Sequence, residues 1–385
     1  MITLKKFILI ILISSSCVRT EHIDILIGAR CTNRANEKGV CKYYNDCLHM
    51  MNKVNRHEIL KCNEQGIICC IPAPTTETNS IPIAKEIKSE RISERKCKEY
   101  SKSTKSNVTV AGTRANPQPF ITENDNCLHK STQLVVGGKA AYRFEFPHQA
   151  LLGYVKGRIH NWICGGSLIS PKFVLTAAHC KVHEVEESGE LIDYKITSVK
   201  LGMISLTKTD RDTKILRIAE FITHENFDSL SKYSDIALIR LNRNVPFSEK
   251  LHPICLPTKK YEDGQQALVT GFGRTDSRPN MSEKLMKATL EQYNHTYCND
   301  VYFNTIDHDT MICYGNASTS NVIDSCNGDS GGPLQIKHDS IDCSYIQIGI
   351  VSFGNEHCNI EGHPGVYVNV FHFIDWIEKI VWADE

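Results

Sequence analysis

Asp324-Ser325-Cys326-Asn327-Gly328-Asp329-Ser330-Gly331-Gly332-Pro333 sets one serine among glycines, with two carboxylates and a cysteine close by. Glycines let the backbone approach a reacting group closely and turn its N–H groups toward a developing negative charge. A hydroxyl is a weak nucleophile at neutral pH, so a serine used this way needs a base to take its proton. Upstream, Thr176-Ala177-Ala178-His179-Cys180 offers a histidine and Ser234-Asp235-Ile236-Ala237-Leu238 an acid, giving the chain order His, Asp, Ser.

The three segments in this order resemble the catalytic motifs of chymotrypsin-like serine proteases. The resemblance implies that His179 is the general base, Asp235 its orienting acid and Ser330 the nucleophile. The N–H groups of Gly328 and Ser330 are then the oxyanion donors. The implied fold is all-β: two antiparallel six-stranded β-barrels with the triad in the cleft between them, finished by a C-terminal helix. Short apolar or alternating runs agree, among them Phe173-Val174-Leu175, Ile236-Ala237-Leu238-Ile239, Ala267-Leu268-Val269 and the stretch from Ile346 to Val351. From Phe373 to Val381 the apolar spacing is helical.

Asp324 stands six residues before Ser330, where trypsin-like members carry the carboxylate at the pocket floor. Gly354 and Gly365 would leave the pocket walls open, so the implied preference is for Arg or Lys before the scissile bond. Val135-Val136-Gly137-Gly138 resembles the N-terminus that zymogens of the family expose, whose ammonium pairs with the acid before the nucleophile, here Asp329. The activation bond is then Leu134-Val135. A leucine side chain gains nothing from a carboxylate-floored pocket, so a different protease must cut there.

The cysteines extend the picture toward the N-terminus. Seventeen occur; setting Cys17 aside with the leader leaves an even number to pair. Cys31, Cys41, Cys47, Cys62, Cys69 and Cys70 crowd a stretch too short for a large core of its own. Zinc is disfavoured there, because paired CxxC elements are lacking and a secretory leader precedes. Residues 31–70 resemble a clip domain, the module that precedes the catalytic domain in arthropod extracellular proteases. Spacing alone leaves the connectivity open. The family implies Cys31 with Cys69, Cys41 with Cys62 and Cys47 with Cys70, and then Cys164 with Cys180, Cys298 with Cys313, Cys326 with Cys358 and Cys127 with Cys255. Cys97 and Cys343 are left over and are paired with each other. Leu134 and Cys97-Lys98-Glu99-Tyr100 resemble the Snake-like subgroup, whose members activate the next clip protease.

Lys5 and Lys6 before the apolar run Phe7 to Ile13 and then Ser14-Ser15-Ser16-Cys17 have the order of a secretory signal peptide, read here as residues 1–17. Residues 71–134 read as a linker, opened by Pro72, Pro74 and Thr75. Between Lys85 and Lys105 eight Lys or Arg face four Glu; a solvated tether is favoured over a polyanion site. Residues 135–385 form the expected protease domain.

Over the whole chain Lys+Arg and Asp+Glu are equal at 44 each, which argues against nucleic acid or an anionic membrane as a partner. The expected partners are an upstream activating protease, a downstream zymogen and a serpin inhibitor. Asn107, Asn280, Asn294 and Asn316 begin N-glycosylation sequons, and the chain is expected to be secreted. No cofactor or metal is expected. Related enzymes often place a calcium-binding Glu where this chain has Gly202-Met203, and a thioether is no ligand for a hard cation.

Overall fold

The computed structural model describes residues 30–32, 38–43, 67–70, 90–102, 105–110, 120–125, 138–187, 189–261, 264–273, 281–303, 305–315, 329–341, 344–354 and 362–384. The chain divides into two compact units, Met1–Ile87 and Lys88–Glu385. In the first, β1 (Arg30–Thr32), β2 (Lys38–Tyr43) and β3 (Ile67–Cys70) form a three-stranded antiparallel sheet in that order. The disulfides expected within 31–70 lie outside what is described.

The second unit opens with α1 (Ile92–Ser101) and the hairpin β4 (Lys105–Val110) and β5 (Phe120–Asp125), followed by β6 (Lys139–Ala140). The first barrel takes β7 (Gln149–Lys156), β8 (Ile159–Leu168) and β9 (Phe173–Thr176). A projecting hairpin of β10 (Val182–Glu187) and β11 (Glu190–Lys195) interrupts it. The barrel resumes with β12 (Ser198–Leu201), β13 (Lys214–Thr223) and β14 (Ala237–Leu241). It closes in the order β12-β13-β14-β9-β8-β7, so none of its six strands leaves an open edge. Leu151, Leu168, Val174, Leu175, Val199, Leu201, Leu238 and Ile239, drawn from both faces of its wall, are almost wholly buried in one apolar core.

The second barrel uses β15 (Ala267–Gly271), β16 (Met286–Gln292), the short α2 (His295–Val301), β17 (Met311–Gly315), β18 (Pro333–Lys337), β19 (Tyr345–Phe353) and β20 (Gly365–Asn369). Its order is β15-β18-β19-β20-β17-β16, and pairing of β15 with β16 closes the ring. Strand β6 joins outside the ring, on β16. The final α3 (Ile374–Val381) buries Ile374 and Ile377, the face its apolar spacing anticipates.

Part of the stretch read as a tether is folded instead. Ser93 donates from both N and Oγ to Glu378 of α3 (3.1 and 2.6 Å), and Arg91 Nη2 lies 3.0 Å from the same carboxylate and also contacts Asp375. Trp382 Nε1 donates to Tyr100 Oη at 3.1 Å, and the Tyr100 ring stands edge-on to Phe247. Cys97, on the buried face of α1, is bonded to Cys255. The pairings of Cys127 with Cys255 and of Cys97 with Cys343 are therefore corrected, since each would need a sulfur already used. The cause is α1 itself, which carries Cys97 onto the catalytic unit. Cys127 and Cys343 lie outside the described residues.

Candidate active site

His179 sits in a 3-10 turn (Ala178–Lys181) directly after β9, and Asp235 just before β14. Strands β9 and β14 are neighbours, with Thr176 opposite Ala237, and this pairing brings the two residues together although 56 positions separate them in sequence. Asp235 is 0% exposed. One carboxylate oxygen lies 2.7 Å from His179 Nδ1 and accepts from Ser352 Oγ at 2.5 Å; the other accepts from His179 N at 2.9 Å.

Burial pushes the Asp235 pKa up, but the hydrogen bond and charge of the His179 ring, with the Ser352 hydroxyl and the His179 backbone, hold it below the ordinary carboxylate value. The carboxylate thus fixes the tautomer in which Nδ1 carries hydrogen and Nε2 keeps its lone pair. Ser352 was not singled out from sequence. Its one mark in the sequence is its place two residues before Gly354 of the pocket wall.

Ser330 is held against the strands that carry His179. Gly165 N, on β8, donates to Ser330 O at 2.7 Å, and Thr176 Oγ1 donates to Gly165 O at 2.9 Å. Cys180 Sγ lies 3.6 Å from Ser330 O and 3.9 Å from His179 Nε2, so Ser330 and the free face of the imidazole flank one sulfur. That sulfur belongs to the Cys164–Cys180 disulfide, which ties β8 to the histidine turn. Gly331 has φ +78°, and a Cβ there would fall 2.2 Å from Thr176 Oγ1 and 2.7 Å from Gly165 O, so only glycine fits. Gly331 N and Gly332 N are already bonded, to Val351 O and Asp329 O, and so point away from any reacting oxygen.

Asp329 accepts from Gly273 N at 2.7 Å, and a Cβ at Gly273 would meet its carboxylate at 2.2 Å. The acid is thus seated on the backbone after β15. Phe353 pairs with Val366, which brings Gly354 and Gly365 to adjoining strand ends. Tyr302 braces this corner, with its ring edge-on to Phe353 and its hydroxyl donating to Pro364 O at 2.6 Å. Cys298 is bonded to Cys313.

Leu134, Val135, Asp324, Gly328 and the Cys326–Cys358 pair lie outside the described residues, as do Asn280 and Asn316; for Asn107 only the strand backbone is described. Asn294 is exposed and caps α2, its side chain accepting from Thr296 N at 2.7 Å. Two groups of metal-ligand type occur among the described residues, Cys97-Cys255-His338 and Cys164-His179-Cys180, and in both the cysteines are consumed as disulfides. After Gly202 the chain wraps around a cation of its own. The buried Lys200 Nζ donates to the carbonyls of Ser205, Leu206 and Lys208 at 3.2, 2.8 and 3.0 Å.

A histidine oriented by a buried acid, beside a serine on a glycine-rich turn, can activate a hydroxyl for attack on a carbonyl. The comparisons with known proteins agree in kind. The trypsin family model matches residues 135–377. The chain is 31% identical to CLIP domain-containing serine protease B4 of Anopheles gambiae, over 92% of this chain and 93% of that one. It is 30% identical to the proclotting enzyme of Tachypleus tridentatus, over 91% and 89%. To serine protease snk of Drosophila melanogaster it is 30% identical, over 92% and 79%.

Proposed function

Because the chain belongs to the trypsin family and is a clip-domain serine protease, a serine endopeptidase with trypsin-like specificity, we propose that it is a secreted zymogen activated by cleavage at Leu134-Val135. Its substrate is a downstream protease zymogen, cut after Arg or Lys. The names of two relatives, proclotting enzyme and melanization protease 1 of Drosophila melanogaster, favour a place in a proteolytic cascade. An upstream protease would then activate it and a serpin would end its activity.

The observation that carries this reading is the Asp235 carboxylate, which takes three hydrogen bonds and orients His179 beside the Ser330 turn. In the proposed reaction Ser330 Oγ attacks the scissile carbonyl while His179 Nε2 takes its proton. The carbonyl oxygen becomes an oxyanion facing the N–H groups of Gly328 and Ser330. His179 then gives the proton to the leaving amine as the C–N bond breaks. Water, deprotonated by the same imidazole, releases the acyl group from Ser330. Asp324 would hold the substrate cation between Gly354 and Gly365. The freed Val135 ammonium would pair with Asp329, drawing its turn into the working geometry.

Wild-type and Leu134→Arg zymogens, each incubated with trypsin and with a leucine-preferring protease, test this. Trypsin is expected to activate only the variant and the leucine-preferring enzyme only the wild type, both giving Val135 as new N-terminus and turnover of an arginine anilide. Activation by cleavage elsewhere, or a variant left uncut at this bond by trypsin, contradicts the site.

A further inference from the structure

Strands β10 and β11 form a hairpin that rises from the turn holding His179: Val182 follows that turn directly, and Ile196 N closes the base on Lys181 O. Directly opposed residues share a face, and the register pairs Val182 with Lys195, Glu184 with Asp193 and Glu186 with Leu191 on one side. The other side carries His183 opposite Tyr194, Val185 opposite Ile192 and Glu187 opposite Glu190. This second side lies against the barrel. Tyr194 and His183 both stack on Tyr154, and Glu187 meets Lys156 at 2.5 Å and the Tyr194 hydroxyl at 3.0 Å.

The outer side is different. Glu184, Glu186, Leu191 and Asp193 are all exposed, Leu191 at 72%. Among the described residues none of these three acids makes an ion pair, whereas the inward Glu187 does. Glu184 faces Asp193 directly across the ladder, a like-charge pair that costs stability. Lys195, at the base, is the outer side's one cation. An uncompensated acidic stripe beside an exposed leucine fits a partner segment that brings lysine or arginine and some apolar surface.

Its position says which segment. In the proposed mechanism, on which this inference rests, His179 delivers its proton to the departing amine, so chain rising from the His179 turn flanks the leaving half of the substrate. We propose that the outer side of the β10–β11 hairpin is a docking surface for a basic segment following the scissile bond, and that Glu184, Glu186 and Asp193 select for it.

The test compares the activated wild type with an activated Glu184→Gln/Glu186→Gln/Asp193→Asn variant on three substrates. One is an arginine anilide with no leaving-side peptide, one a peptide with lysines and arginines after the scissile bond, and one the same peptide with serines there. All three side chains are exposed, so the variant is expected to fold and to turn over the anilide unchanged. On the basic peptide kcat/KM is expected to fall about tenfold at low salt, the sum of several exposed charge contacts. The loss should shrink at about 0.5 M salt, and the serine peptide should be unaffected. Equal ratios of basic to serine peptide in the two enzymes overturn the proposal, as does an equal loss on all three substrates. Moving the basic residues before the scissile bond must abolish the effect; if it persists, the surface reads something else. A wild type inactive on the anilide would instead contradict the protease reading.

Discussion

A carboxylate with no exposed surface would ordinarily take up a proton, yet Asp235 accepts from His179 N, the His179 ring and Ser352 Oγ, and its pKa stays below the usual range. The charge is therefore retained to orient the imidazole. Asp235→Asn keeps the shape but presents an amide, favouring the tautomer with hydrogen on Nε2. The expected result is a fall in kcat of about 10⁴-fold with the fold intact, read from arginine-anilide kinetics and circular dichroism; a loss below tenfold would contradict the assignment.

His148 works in the opposite direction. It is buried against Phe146 and Tyr345, its Nε2 makes no hydrogen bond among the described residues, and burial, helped by the charge of His252 and opposed by Gln335, pushes its pKa down to about 3. The unfolded imidazole titrates near its ordinary value of about 6.5. The native state is therefore favoured fully above about 6.5 and loses that advantage as pH falls toward about 3. In denaturant titrations from pH 7 to 4, His148→Phe should flatten this acid limb. Parallel losses in the two proteins would rule His148 out as its source.

At the scale of elements, His179, Asp235 and Ser330 were legible because each lies in a short run whose residue types the chemistry demands. Ser352 was not, since a serine at the end of an apolar strand gives no sign that it turns toward Asp235. Helix α1 was hidden by its composition. Arg91, Arg95, Lys96, Lys98, Glu94 and Glu99 read as a solvated run, and only Ser93, Cys97 and Ser101 are buried. What holds α1 is long-range, the Glu378 carboxylate and Cys255, and local pattern is blind to it. The disulfide error follows from the same blindness. Cys97–Cys255 spans the Leu134-Val135 bond, so the cleaved protein should run as one species without reductant and as two with it. A non-reduced digest should yield the Cys97 and Cys255 peptides linked; a peptide joining Cys127 to Cys255 would contradict the structure.

For the whole molecule, the two barrels could be anticipated because the resemblance supplied their topology, while strand runs such as Phe173-Val174-Leu175 supplied only local agreement. Closure through β15 and β16, and the cation built into the loop after Gly202, come from register and from a single lysine whose burial no sequence window marks. The barrels bring His179 and Asp235 from one and Ser330 and Ser352 from the other to a single seam. The central claim is that this seam is a serine protease site, silent until Val135 is freed. Mass spectrometry after treatment with a fluorophosphonate tests it most directly, on intact zymogen and on protein cleaved at Leu134-Val135. The account predicts one phosphonyl group on Ser330 of the cleaved protein and little on the zymogen. Labelling at another residue, or equal labelling of Ser330 before and after cleavage, would contradict it.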